Sequence, residues 1–202
     1  MSDIQAQKIG LTVGLKTTLL KSLPDPTPQA LFANLIASTA IYGTFKTTVG
    51  YEVGLISSFQ FKKVYFKPKI NYALNTCDLI QTNYSNMTAY SPLKIRNHVI
   101  ELHCLLHDNI SDKIFIVLGP SIQARINASG GRGTDKFTMK ILTKNVIAYG
   151  IEGGIGASIA KNIDIQLTNQ YSSSIFTTGA LTKSGHTATL SLTYWTGYRQ
   201  IN

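Results

Sequence analysis

The sequence predicts an all-β protein: eight antiparallel strands, joined up-and-down and closed into a membrane-crossing barrel with four long external loops. Three observations predict it. Apolar and polar residues alternate at period two through eight segments, so each has one apolar and one polar face. The segments are longer than ordinary strands of about five to six residues, and suit the roughly nine to eleven that a tilted bilayer-crossing strand needs. The connections alternate between short and long, which places three tight turns and both termini at one end and four long loops at the other.

The first strand is expected near 8–16, where Ile9, Leu11, Val13 and Leu15 alternate with Gly10, Thr12, Gly14 and Lys16. The second, 50–61, sets Tyr51, Val53, Leu55, Phe59 and Phe61 against Glu52, Gly54, Ser58 and Gln60. The third, 64–74, sets Phe66, Pro68, Ile70, Tyr72 and Leu74 against Tyr65, Lys67, Lys69 and Asn71. Pro68 cannot donate to a ladder, so a bulge or irregularity is expected there. The fourth, 97–107, sets Ile100, Leu102, Cys104 and Leu106 against Val99, Glu101, His103 and His107. The fifth, 114–126, sets Ile116, Leu118, Ile122, Ala124 and Ile126 against Phe115, Gly119, Gln123 and Arg125.

The sixth and seventh, 146–159 and 162–171, form a hairpin about the Ala160–Asn162 turn. Tyr149, Ile151, Ile155, Ile159, Ile163, Ile165, Leu167 and Tyr171 share its apolar face. Glu152, Gly154, Gly156, Asp164, Gln166 and Thr168 share the polar one. The eighth, 186–198, sets Ala188, Leu190, Leu192 and Tyr194 against Thr187, Thr189, Ser191 and Thr193. The other expected turns are Phe61–Val64 and His107–Lys113. The long loops are Lys16–Gly50, Asn75–Arg96, Asn127–Asn145 and Ser172–Gly185. The whole chain, 1–202, reads as one barrel domain.

Alternation alone fits a soluble, lipocalin-like barrel turned the other way. Two features of the polar face favour the membrane. Glycines gather on it (Gly10, Gly14, Gly54, Gly150, Gly154, Gly156), as a crowded lumen requires and a solvated surface does not. Its charges nearly cancel: Lys16, Lys67, Lys69 and Arg125 stand against Glu52, Glu101, Glu152 and Asp164. Buried charges must be paired, so a lumen charge network that plugs a narrow barrel is the expectation. Tyr65, Phe115 and Trp195 add bulk to it.

The 202 residues are 44% hydrophobic and only 14% charged, yet the net charge is +9. There is no basic helix and no nucleic-acid motif, so lipid phosphate is the expected counter-charge. MSDIQAQKIG has no apolar signal core, and a signal peptide is expected to have been removed ahead of this numbering. The expected location is the outer membrane. Cys77, in an expected loop, and Cys104, on an apolar strand face, are expected to be free thiols.

Candidate chemistry is sparse. His103 and His107 share parity with Glu101 and should hydrogen-bond in the lumen; with His98 and His186 they are spread too far along the strands to share a metal. Ser184 and His186 form an enzyme-like pair at the external end, without an acid on the same face to orient them. No cofactor is implied. The first loop breaks at Pro24, Pro26 and Pro28 and then carries an apolar run in which Leu31, Phe32, Leu35 and Ile36 are candidate partner contacts. The third loop is basic and glycine-rich; Arg132, Lys136 and Lys140 are candidates for lipopolysaccharide phosphate.

Several of these segments resemble one family. KIGLTVGLK is similar to the first strand of PorT-like outer-membrane β-barrels. IELHCLLHDNISDKIFIVLGPSIQARI resembles their central hairpin, YGIEGGIGASIAKNIDIQLTNQY their G-x-G-x-G hairpin, and TATLSLTY their last strand. The resemblance covers most strands and none of the loops. It implies an eight-stranded outer-membrane barrel without an enzymatic site, serving as a structural or accessory subunit of a larger complex in type IX secretion or surface-protein assembly. The expected partners are outer-membrane lipid and other outer-membrane or surface proteins. A small-solute channel and a lipid-facing enzyme such as a lipid A deacylase are the alternatives.

Overall fold

The structure is a computed structural model and describes residues 4–20, 41–61, 64–83, 92–132, 135–138, 147–178 and 181–199. Ten strands are present among them: β1 (Ile4–Leu20), β2 (Ile41–Thr47), β3 (Val49–Phe61), β4 (Val64–Asn83), β5 (Leu93–Asn109), β6 (Ile114–Arg132), β7 (Asp135–Thr138), β8 (Ile147–Ala160), β9 (Ile163–Thr178) and β10 (Leu181–Arg199). Eight close a ring in the order β1–β3–β4–β5–β6–β8–β9–β10, every neighbour antiparallel. The closing ladder runs from Gln7 opposite Arg199 to Leu20 opposite Gly185. Closure leaves no edge along the ring, the condition for β-structure in a bilayer.

The remaining two strands lengthen the barrel at the long-loop end. β2 continues β3 along β4, with Thr47 opposite Cys77. β7 folds back on the end of β6, with Arg132 opposite Asp135. At the other end the turns are tight. Ile110 and Ser111 N–H both donate to the Ile114 carbonyl, and Ile114 N–H donates to Ser111 Oγ.

The expected strands stop short of the observed ones, chiefly at the long-loop end. Residues 75–83 and 93–96, expected in a loop, complete β4 and β5; 173–178 and 181–185 complete β9 and β10. Apolar alternation marks only the part of a strand that meets hydrocarbon. The hydrogen-bond ladder continues where both faces are polar, and there period two in hydropathy vanishes. Cys77 moves accordingly from an expected loop into β4, where it points inward and is buried. Both thiols are free. Pro68 lies opposite Cys104, nine ladder rows from Cys77 opposite Ile95, so the two cysteines stand about 30 Å apart along the strands.

Pro68 produces no bulge. The β3–β4 register is the same on both sides of it, Ile56 opposite Lys69 and Phe59 opposite Phe66; only the intervening pairs drop out. That gap in the ladder is the irregularity expected at Pro68; register shifts fall elsewhere, among them one in β6, where Val99 opposite Arg125 and His98 opposite Asn127 leave Ile126 as an extra residue.

The barrel is apolar outside and polar inside. Leu15, Leu118 and Ile151 are each 61% exposed, whereas Glu101, Ser172 and Thr187 are 0% exposed in the lumen. That distribution is the reverse of a soluble barrel's. Lumen glycines make the filling possible. A Cβ on Gly156 would stand 2.3 Å from two ring carbons of Phe115, and one on Gly54 2.2 Å from the Ile70 carbonyl oxygen.

Candidate functional site

The lumen holds two charged layers. The central one is a closed ring of six side chains in which basic and acidic groups alternate. Lys16 on β1 places Nζ 3.3 Å from Glu52 Oε2 and 2.5 Å from Glu101 Oε2. Lys69 on β4 places Nζ 3.4 Å from Glu52 Oε1 on β3 and 3.6 Å from Glu152 Oε1 on β8. His103 on β5 completes the circuit, with Nε2 3.4 Å from Glu101 Oε2 and Nδ1 against Glu152 Oε2. All six are almost fully buried. With a proton on both His103 nitrogens, the ring sets three cations against three carboxylates. Because Glu152 comes from the far wall, the ring spans the lumen rather than lining one side.

Amides and hydroxyls extend this layer toward the long loops. Gln123 Nε2 donates to Glu101 Oε1 (2.8 Å) and to Gln170 Oε1 (3.0 Å), and Gln170 Nε2 donates to Ser121 Oγ (2.8 Å). Beyond them Asn71, Asn75 and Asn97 are buried with amide atoms that meet no hydrogen-bond partner among the described residues, whereas the ring atoms without a hydrogen bond, His103 Nδ1 and Nε2 and Glu152 Oε1, keep ion-pair contacts.

The second layer lies toward the short turns. Trp195 Nε1 donates to Asp164 Oδ2 (2.8 Å), and Ser158 Oγ donates to Asp164 Oδ1 (2.7 Å). Lys67 Nζ stands 3.8 Å from Asp164 Oδ2, 4.8 Å from the Phe115 ring centre and 5.0 Å from that of Trp195. The His107 ring stacks on Phe115 at 4.3 Å and meets the edge of Tyr65 at 5.4 Å. An ion pair caged by aromatic faces fills this end of the barrel.

The expected eight-residue charge network is thus divided. Lys16, Glu52, Lys69, Glu101 and Glu152 belong to the ring, and Lys67 and Asp164 form the separate pair. Arg125 is half-buried nearer the long-loop end, beside the Ile126 bulge, outside the ring. His103, expected from its spacing of two from Glu101 to point inward and hydrogen-bond in the lumen, does point inward, and it joins the charge network itself as the link between Glu101 and Glu152. The contacts across the barrel to Gln170 and Glu152 carry no local signal, because they depend on which strands closure brings opposite one another.

The remaining candidates lie apart from these layers. His186 faces outward on β10, with Nδ1 3.2 Å from Asn169 Oδ1 and its ring 5.1 Å from that of Tyr171. The Ser184 side chain lies outside the described residues; in the backbone the β9–β10 register shifts between Lys183 and Gly185. Leu31, Phe32, Leu35, Ile36 and Lys140 also lie outside the described residues. The backbones of Arg132 and Lys136 fall on β6 and β7.

An inside-out, eight-stranded antiparallel barrel with a charged, filled lumen defines a transmembrane β-barrel of outer-membrane type. Residues 5–175 match the outer membrane protein beta-barrel domain family, and the chain belongs to it. It is a bacterial outer-membrane protein. The match reaches this broader family rather than the PorT-like group in particular. Neisserial surface protein A (NspA) has the same fold, with a TM-score of 0.53 at 10% identity, covering 93% of this chain and 96% of that one. OprG of Pseudomonas aeruginosa aligns at a TM-score of 0.50 and 8% identity, covering 95% and 97%. At these identities the likeness is one of fold alone. No curated protein matches the chain in sequence.

Proposed function

We propose that this protein is a closed, non-enzymatic barrel that works through its long-loop end as a structural or accessory subunit of a larger outer-membrane assembly. One observation carries the reading: the ring of Lys16, Glu52, Lys69, Glu152, His103 and Glu101 spans the lumen, and the caged Lys67–Asp164 pair fills it again below. A barrel filled twice is poorly built for solute passage. The hairpins beyond the membrane are then the surface left for function. The PorT-like resemblance of the hairpin segments supports secretion or surface-protein assembly as the setting, with the apolar run at Leu31, Phe32, Leu35 and Ile36 as the contact.

The test is mild detergent extraction from native outer membranes with a photo-crosslinking residue at Phe32, then mass spectrometry. The expected result is a stoichiometric larger partner crosslinked at Phe32 and absent when the crosslinker sits at Lys161 in the opposite turn. A lone barrel with no crosslink would overturn the accessory role.

A further inference from the structure

The outward face of the barrel changes character along β4 and β5. In the row of Tyr72 and Ile100 it is apolar and aromatic, and the next row toward the long loops pairs Leu74 with His98. Tyr72 OH is hydrogen-bonded to His98 Nδ1 at 2.5 Å, and Tyr51 packs 6.5 Å from Tyr72. Tyrosines with one wet end mark the headgroup level of a bilayer. Above them the face turns polar and basic. Arg96 lies opposite Thr76, and in the row beyond, Lys46 of β2, Asp78 of β4 and Lys94 of β5 stand side by side. Lys46, Lys94 and Arg96 are exposed. One carboxylate among three cations leaves the patch positive.

The spacing sets the height. Arg96 and Lys94 are four and six residues beyond Ile100 on β5. At about 3.3 Å per residue and a tilt near 40°, that is roughly 10 and 15 Å above the tyrosine row. Taking the tyrosine row as the level where acyl chains give way to headgroups places these cations among the headgroups of the outer leaflet. Across the barrel, the described outward side chains at the same end of β8, β9 and β10 include Ile147, Tyr149, Tyr171, Ser173 and His186, and none of these is Lys or Arg.

We propose that Lys46, Lys94 and Arg96 form a binding site for the phosphates of lipid A, the glycolipid of the outer leaflet. Two phosphomonoesters on a sugar backbone match a patch with cations in two adjacent rows. The long Lys and Arg stems can lie along the strands while their heads reach the phosphates. The inference goes beyond the accessory reading and does not rest on it.

The test is native mass spectrometry of the detergent-solubilised barrel with bisphosphorylated lipid A and with the same lipid stripped of phosphate. Three proteins are compared: wild type, the Lys46→Gln/Lys94→Gln/Arg96→Gln triple, and a Lys113→Gln/Lys161→Gln control that removes exposed charge at the short-turn end. The three patch side chains are exposed, so folding of the triple is expected and is read from heat-modifiable gel migration. The expected result is at least about a tenfold loss of bisphosphorylated lipid A from the triple, as expected for three headgroup-level charges, with the control unchanged. Equal binding by the triple, or an equal loss in the control, would overturn the site. So would equal wild-type binding of the phosphate-free lipid, a result that needs no variant.

Discussion

Replacing Glu152 with Leu tests the lumen ring directly. In the native ring Glu152 touches Lys69 Nζ at 3.6 Å and His103 Nδ1. Its removal leaves Lys69 with Glu52 at 3.4 Å and His103 with Glu101 at 3.4 Å. Each cation keeps one carboxylate, but two carboxylates now serve three basic groups in a site with almost no solvent. Removing one partner of a buried pair costs about 3–5 kcal/mol, and the surviving contacts put this loss at the low end of that range. The assay is urea unfolding in lipid vesicles, followed by heat-modifiable migration and by fluorescence of Trp195, the one tryptophan. Adding Lys69→Met removes the cation that was left short of charge. The double variant should therefore lose less than the sum of the two singles, by about 1–3 kcal/mol. A Glu152→Leu barrel that unfolds at the wild-type urea concentration, or a strictly additive double variant, would refute the ring as a coupled unit.

Other expectations follow from the same packing. Gly156→Val should block or slow folding, because even a Cβ would meet Phe115 ring carbons at 2.3 Å; adding Phe115→Ala should restore heat-modifiable folding in part. Trp195→Phe leaves Asp164 Oδ2 without its indole donor at 2.8 Å and should cost about 1–3 kcal/mol in urea unfolding. In the wild type, Trp195 emission should be blue-shifted and poorly quenched by acrylamide, since the ring is buried. A water-soluble maleimide should leave the buried Cys77 unlabelled in the folded barrel and label it after boiling in detergent.

The fold was legible in the sequence because a lipid-facing strand carries its own pattern. The outward rows of β3, β5 and β8 (Val53 and Leu55, Ile100 and Leu102, Ile151 and Ile155) are set by hydrocarbon, so period two survives even with glycines on the other face. The pattern ends with the hydrocarbon, which is why Cys77 and the ends of β9 and β10 read as loop. The polar face gave the residues of the lumen layers by parity alone. It did not give their partners. Lys67 pairs with Asp164 and Lys69 with Glu52 and Glu152, although the two lysines are neighbours on one face of one strand. Their different heights in a closed barrel decide the pairing, and those follow from strand stagger rather than local sequence. The Ile126 bulge was missed for a similar reason: a single extra residue shows only when the partner strand is known.

The central claim is that the lumen is closed. Purified barrel reconstituted into a planar lipid bilayer measures that most directly, with voltage steps of both signs in molar potassium chloride. The account predicts no stable open-channel current above the bare bilayer from the wild type. Reproducible single-channel steps from the folded wild-type barrel would contradict it, and would turn the ring of Lys16, Glu52, Lys69, Glu152, His103 and Glu101 from a plug into the wall of a pore.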